Sequence, residues 1–476
     1  MKNKKLYILA ILAIAFSSCK KELDEVNINP NAPEIAQADY LLTGTTKATA
    51  DTYWGVTNNM NSSLLFAQQW AKVQYTEEDR FIYSNSSFTA LWSTGYAQSI
   101  AGFNKIIELG DAQGNANYKG VALVLRSWTF LLLTDAYGDI PYSQAGKIKQ
   151  FVTPVYDKQK DVYYGILSDL RSAQAALDPA GKVIAGDVIY SNNIASWKKF
   201  TNALRLRIAL RIADKDPAKA KQTIDEIQAE GGAYISSNSE NAVLKYDVSP
   251  QQNPVAASFE TRNDYRISKT IVDKLTSLSD PRLPVYASKT ENQPQGYVGI
   301  PNGSTNSEAS AIGLANSSKP GAYFLDAKAP AVIFSYAELL FDRAEAAARG
   351  FTAEDAEDLY KQAIRASFLQ YNISGTAVED YIKQSGVIYN AANYKKSIGE
   401  QKWIALFGQG LEAWAEQRRL DYPQLTASVN TVLNGKIPVR FIYPGTEQSL
   451  NGQNYKNAVS SQGADLLTTK LWFDAF

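Results

Sequence analysis

The feature that most constrains the chain is a stripe at helical spacing. Tyr336, Leu339, Leu340, Arg343, Ala344 and Ala347 fall at i, i+3, i+4, i+7, i+8 and i+11. A strand, whose side chains alternate with period two, cannot bury such a set on one face. Gly350 ends the predicted helix, and Thr352 with Asp355 reads as a capping box for the next. Ala356, Leu359, Tyr360, Ala363, Ile364, Ser367, Phe368 and Tyr371 form the second stripe. So short a turn makes the two helices antiparallel. Comparable pairs are predicted at 88–109 with 117–136 and at 157–177 with 195–213. Within the last of these, Leu204–Ile208 alternates locally, but Trp197, Phe200, Leu204, Ile208 and Ile212 keep the helical spacing.

Stacked pairs of this kind resemble tetratricopeptide units, although no strict 34-residue repeat is visible. Two stretches interrupt them, 231–266 and 279–330, the second with six prolines and the turn Asn302-Gly303. Structureless segments of that length are uncommon in compact domains, so short strands and an irregular lobe are expected there. The predicted fold class is mostly α, with tetratricopeptide-like helix pairs at 34–230 and 331–420. They pack against a loop-rich lobe at 231–330 that takes in the C-terminal segment 421–476.

The chain has no histidine and a single cysteine, Cys19. This excludes imidazole zinc sites, Ser-His-Asp and Cys-His nucleophile systems, intrachain disulfides and C-x-x-C sites. With 48 basic and 48 acidic residues there is no basic field for nucleic acid. Lysines within 1–5 precede the apolar run Leu6–Phe16 and then Ser17, Ser18 and Cys19, which reads as a secretory signal 1–18. The run is too short to span a hydrocarbon core of about 30 Å. The small-small-Cys ending resembles a bacterial lipobox, in which Cys19 carries the lipid and 19–33 is a polar, Pro-interrupted tether.

Catalytic constellations are sparse. Glu338, Asp342, Glu345 and Arg349 share one helix face; the set is weighed as a cation site but reads more simply as a solvated stripe. Glu412, Glu416 and Arg419 read as ion pairing along one helix, and Asp135 and Asp139 as helix-end and turn residues. Calcium-loop, Walker, G-x-G-x-x-G and G-x-S-x-G motifs are absent. No enzyme, metal or cofactor is therefore expected; a structural calcium held by backbone and amide oxygens has no motif behind it. Aromatic residues in polar segments are the ligand-binding candidates: Tyr75 and Tyr83 beside Arg80, Trp92, Tyr265 beside Arg262 and Asn263, Tyr297 and Tyr323. Flat rings with polar tips beside amides suit sugars or peptides. Each ring has a structural role as its competing reading, Trp92 most of all.

Ordered segments along the whole chain resemble the SusD/RagB-like outer-membrane lipoproteins of the starch-binding branch. They are NINPNAP (27–33), TDAYGDIPY (134–142), TPVYDKQKDVY (153–163), DPRLPVYA (280–287), YVGIPNG (297–303), ELLFDRAEAAARG (338–350), EQKWIALFGQGLEAWAEQRR (400–419), PVRFIYPGTEQSLNGQNYKNAV (438–459) and LTTKLWFD (467–474). The resemblance implies a lipid-anchored protein of the outer membrane that faces the cell exterior. It also implies binding without cleavage, and a SusC-like TonB-dependent barrel over which the protein closes as a lid, passing on oligosaccharides or peptides. Only Cys19 carries over residue by residue. A helical-repeat protein adaptor and a carboxylate-only glycosidase are the competing functions.

Overall fold

The structure is a computed structural model that describes residues 36–475 apart from 293, 295 and 429. The predicted signal 1–18, the tether 19–33 and Cys19 lie outside the described residues. The helical part opens with α1 (Ala38–Trp54), α2 (Ala101–Gln113), α3 (Ala116–Tyr137), α4 (Gln159–Ala176), α5 (Ile194–Ile212) and α6 (Pro217–Ala229). It resumes with α7 (Tyr336–Ala348), α8 (Ala356–Leu369), α9 (Tyr394–Ala405) and α10 (Gly410–Leu420). Neighbouring helices pack as pairs, α2 on α3, α3 on α4, α5 on α6 and α7 on α8. The fold is mostly helical, as the periodicity predicts. No helix among the described residues is long and apolar enough to cross a membrane.

Local chemistry sets the helix ends. The Asn115 side chain accepts from the Asn117 amide at the start of α3, and Asn193 from Ser196 at the start of α5. Asp216 caps α6, with Pro217 in the first turn. The predicted capping box of Thr352 with Asp355 does not form. Asp355 is itself the cap of α8 and accepts from the Glu357 and Asp358 amides, because its carboxylate reaches those donors directly and the helix starts only at Ala356. Alternation in Leu204–Ile208 is real but reflects burial on all sides: Arg205 and Arg207 are as buried as Leu204 and Leu206.

Two antiparallel ribbons occupy the irregular part. β1 (Trp70–Lys72) pairs with β3 (Tyr265–Ile267), and β2 (Ala242–Leu244) with β4 (Ala331–Phe334). The C-terminal segment lies against the helices. The Phe441 amide donates to Ala136 O on α3 (2.7 Å), Trp414 Nε1 on α10 to Pro438 O (2.8 Å), and the Phe473 amide to Gln159 Oε1 on α4 (3.2 Å).

The acidic stripe of α7 is not solvated. Glu338, Asp342 and Glu345 are fully buried, since α7 packs on α5, α8 and α9; partial exposure falls instead on Tyr336, Arg343 and Ala347 of the predicted buried stripe. Glu338 meets Arg207 (2.6 Å), Asp342 meets Lys402 (2.5 Å), and Glu345 meets Arg419 (2.6 Å) and Arg349 (2.8 Å). Glu412 and Glu416 likewise pair between helices. Arg211 of α5 reaches Glu412 at 2.6 Å and also Glu416, while Lys402 reaches Glu416 at 2.7 Å. Asp135 joins the cluster through Arg211 (3.1 Å), and Asp139 accepts from the Gln159 amide at the head of α4 (2.8 Å). The along-helix pair Glu416–Arg419 (2.6 Å) is one edge of a five-helix cluster.

Candidate functional site

The register of the first ribbon assembles the candidate site. Lys72 faces Tyr265, and the Val73 amide donates to Asp264 O at 2.8 Å, so the chain leaving β1 and the chain entering β3 lie at the same end. Residues 75–83 and 262–263 are thereby neighbours despite their separation in sequence. The 301–308 and 428–432 loops join them through side-chain amides. Asn302 Nδ2 donates to Asp79 Oδ1 (2.7 Å), and Asn306 accepts from the Thr76 amide (3.1 Å) and donates to Glu77 (3.2 Å). Arg80 Nε donates to Asn430 O (3.2 Å), and Asn430 Nδ2 to Glu308 (2.8 Å). Gly303, at φ +75°, allows the close approach: a Cβ there would sit 2.6 Å from Ser428 Cβ.

Tyr75 stands out on this framework. The residue is 65% exposed and its backbone holds φ +52°, a left-handed conformation that bulky residues rarely adopt. Gln68 and Phe81 also have positive φ, at 50° and 64°. Each such residue costs roughly 1–3 kcal/mol, and such conformations cluster where a ligand or active site is built. Ile82 and Val432 are exposed apolar residues on the same loops, and the Val432 amide donates to Arg80 O at 3.2 Å. The surface therefore combines a flat ring, aliphatic patches, amides and charged tips, which suits a hydroxylated ligand with apolar ring faces.

The other sequence candidates divide. Tyr265 is buried: its hydroxyl donates to Asn61 Oδ1 (2.6 Å) and its ring packs on Trp70 and Phe259. Tyr83 is half-buried and donates to Asn61 O (2.6 Å), so both rings support the loops. Arg262 forms a bidentate pair with Asp264 (3.0 and 2.7 Å) and lies over the Tyr265 ring, while exposed Asn263 braces Arg266. Trp92 is buried among Tyr96, Tyr137, Tyr156 and Tyr443 and donates to Glu447 (3.2 Å). Tyr323 packs on Phe324 and Tyr371, and Tyr297 is half-buried against the core; neither shares a ring contact with the Tyr75 group. Sequence reasoning missed Glu77, Ile82, Asn306, Asn430 and Val432. The candidates Tyr75, Arg80 and Tyr83 and the Asn302-Gly303 turn mark two of these loops in advance, and the Thr305–Glu308 capping box, which forms, is a further local signal in the second.

The site has little acid–base chemistry to offer. Burial pushes the Asp79 carboxyl up to about 7, against the bonds it accepts from Asn302, Lys72 and Gly303. It lies fully beneath the surface, out of reach of a ligand on Tyr75. Asp264 is also pushed up by burial, but the Arg262 bonds and Lys72 outweigh this and hold it below the usual carboxylate range. Among the described residues no group of three or more His, Cys, Asp or Glu side chains is placed to hold a metal.

A family profile described as starch-binding and associating with the outer membrane matches residues 30–444. The chain belongs to the SusD-like family. A solved structure described as a chitin-binding protein is 29% identical to this SusD-like chain, with TM-score 0.83, covering 92% of this chain and 100% of that one. A SusD homologue from Bacteroides uniformis is 26% identical, with TM-score 0.83 over 92% and 100%. A chitin-binding SusD homologue from Flavobacterium johnsoniae, 24% identical, shares the fold with TM-score 0.83 over 91% and 98%. No curated protein matches the chain. SusD-like proteins are glycan-binding proteins associated with the outer membrane, and the tetratricopeptide-like helix pairs are their fold.

Proposed function

We propose that this chain is a non-catalytic, lipid-anchored glycan receptor whose Tyr75 face holds oligosaccharide for a TonB-dependent outer-membrane barrel. The observation that carries the reading is Tyr75: an exposed tyrosine kept in a costly backbone conformation by an amide framework drawn from three loops. A relative described as chitin-binding makes β-linked N-acetylglucosamine oligomers the first ligands to try. In calorimetric titration with these and other neutral oligosaccharides, Tyr75→Ala is expected to weaken binding by about 0.5–2 kcal/mol. Tyr265→Phe, which alters a buried hydroxyl, should leave affinity within twofold of wild type. Equal affinity for Tyr75→Ala would return the ring to scaffold, and release of reducing ends above background would make the protein a glycosidase.

The barrel half of the reading is supported by exposed apolar residues on the 148–155 and 450–454 segments. Ile148, Val152 and Leu450 are 74%, 83% and 74% exposed, with Phe151 and Val155 beside them. Asn451 and Asn454 donate to Pro154 O (2.8 and 3.2 Å) and hold the two segments together. Exposed apolar residues gathered on two bonded segments suit a protein contact better than single ones scattered over a surface. Val152→Asp should therefore abolish co-purification with a barrel from detergent-solubilised membranes without altering glycan affinity. Cys19→Ser should move the protein from the membrane to the soluble fraction. A protein that stays membrane-bound after this change has another anchor.

A further inference from the structure

The chain has no histidine, so a side chain changes charge between pH 5 and 8 only where burial or a neighbour shifts it there. One such group lies beneath the Tyr75 face. Asp79 is fully buried where β1, the 75–83 loop and the 301–308 loop meet. Its Oδ2 accepts from the Lys72 amide at the end of β1 (3.2 Å), and its Oδ1 from Asn302 Nδ2 (2.7 Å). The Gly303 amide is a third donor. The orientation of Asn302 is fixed, because its Oδ1 accepts from Ser268 Oγ and its Nδ2 also donates to Trp70 O (2.8 Å), which can only accept. The Asp79 carboxyl thus ties the Asn302-Gly303 turn to the strand end. Asn306 of the same loop takes the Thr76 amide next to Tyr75 (3.1 Å), so the backbone of the exposed tyrosine depends on that loop. Glu77 and Glu308, which also bond across these loops, are exposed.

The charges around Asp79 are engaged elsewhere. On β1, Lys72 Nζ is shared between Glu78 (2.9 Å) and Asp264 (3.1 Å). Arg262, on the chain entering β3, pairs with the same Asp264 (2.7 Å), and Arg80 Nε turns to Asn430 O. On its own loop the titratable neighbours are Glu78 and Tyr83, and Tyr83 donates to Asn61 O. On 301–308 the charged residue is Glu308, held low by the bonds it accepts from Thr305. Three donors favour the ionised form of Asp79, while burial without a counter-ion of its own opposes it. Burial prevails and raises the carboxyl from an ordinary 3.8 to about 7. An opening that lets water reach Asp79 returns it to its ordinary value, so the closed loops keep a proton that the open ones release. Closure is then firmest near the ordinary value and weakens, by up to about tenfold per pH unit, until the closed form ionises as well.

We infer that Asp79 is a proton-operated latch for the Tyr75 face: the loops beneath the tyrosine are held closed with Asp79 protonated and loosen as it ionises. Its bearing on ligand rests on the proposed role of Tyr75; the latch itself does not. Amide hydrogen exchange of the ligand-free full chain in detergent, corrected for the intrinsic pH dependence of exchange, reads the opening of residues 301–308. The opening constant is expected to rise at least tenfold between pH 5 and 7 and to level off above pH 7.5. Asp79→Asn, which cannot ionise, should remove the rise. Asn302→Ala, at a half-buried position, cuts the loop from the carboxyl and carries the test if Asp79→Asn fails to fold; exchange of residues 303–308 should then be fast and without a slope. A flat wild-type profile, or a slope that survives in either variant, would overturn the latch. A slope in a wild type that binds no N-acetylglucosamine oligomer keeps the latch and removes the ligand reading, whereas affinity that falls as the loops open supports both.

Discussion

Replacing Arg419 by methionine is expected to lower stability by about 3–5 kcal/mol, enough to unfold many domains. Arg419 is fully buried, reaches both oxygens of Glu345 at 2.6 Å, and contacts Glu416 at 2.6 Å. Its removal leaves two buried carboxylates short of a cation. Glu338→Gln should be nearly neutral by contrast. Burial pushes the Glu338 carboxyl up to about 8, against the pull of Arg207 and with the help of nearby Glu412, so it favours the neutral form far more than Glu345 or Glu416 does. Its Oε2 has no partner, and a glutamine oxygen can still accept from Arg207. Chemical-denaturation midpoints of the two variants measure the difference.

The same cluster fixes the sign of the pH response. Glu338 holds in the folded state a proton that the unfolded chain releases near 4.5, so stability falls as pH rises from the unfolded value toward about 8. Burial raises Glu416 as well, but Arg419, Lys402 and Arg211 overcome it and hold this carboxyl well below its usual range. Glu345 and Glu412 are lowered by their arginines in the same way. That stabilisation is complete above the unfolded value and is lost as pH falls through the depressed ones. The thermal midpoint is therefore expected to peak at about pH 5–6. Glu338→Gln should make the alkaline limb shallower and leave the acid limb in place, the remaining slope coming from Asp342 and Asp79, which burial pushes up to about 6 and about 7; a profile unchanged by it would refute the assignment.

Trp414→Ala is expected to cost about 3–5 kcal/mol by opening a cavity at the junction of α10 and the C-terminal segment. The indole is fully buried, donates to Pro438 O, and stacks on Phe441 at 5.1 Å and 25°. The Arg418 guanidinium lies 3.7 Å over it and donates to Val439 O (2.7 Å) and Asp135 O (2.9 Å), linking the segment to α3. Limited proteolysis should cut first within 421–476 in this variant, whereas Arg419→Met should expose α7 and α10 together. Cleavage elsewhere would show that the segment is held by other contacts, such as Phe473 with Gln159.

The helix pairs were legible because period and capping are local. The stripe from Tyr336 to Ala347 and that from Ala356 to Tyr371 need only the chain's own spacing, and both became helices, the second ending at Leu369 and leaving Tyr371 just beyond it. The polar faces were not legible. Glu338, Asp342 and Glu345 have the spacing of a solvated stripe, and only the arrival of Arg207, Lys402 and Arg419 from three other helices makes the stripe interior. The same holds for the rings: Tyr75 and Tyr265 look alike in sequence, yet one is exposed at φ +52° and the other is buried in β3.

By itself the sequence determined the helical class, the breaks between helix pairs, the exclusion of histidine and paired-cysteine chemistry, and the family resemblance. All of these depend on residue identity and near-neighbour spacing. Tertiary structure alone decided which carboxylates are paired, which aromatic residue is exposed, and that loops at 75–83, 262–263, 301–308 and 428–432 meet at one end of a ribbon. Those outcomes depend on contacts between segments hundreds of residues apart, whose burial and electrostatics no local pattern encodes.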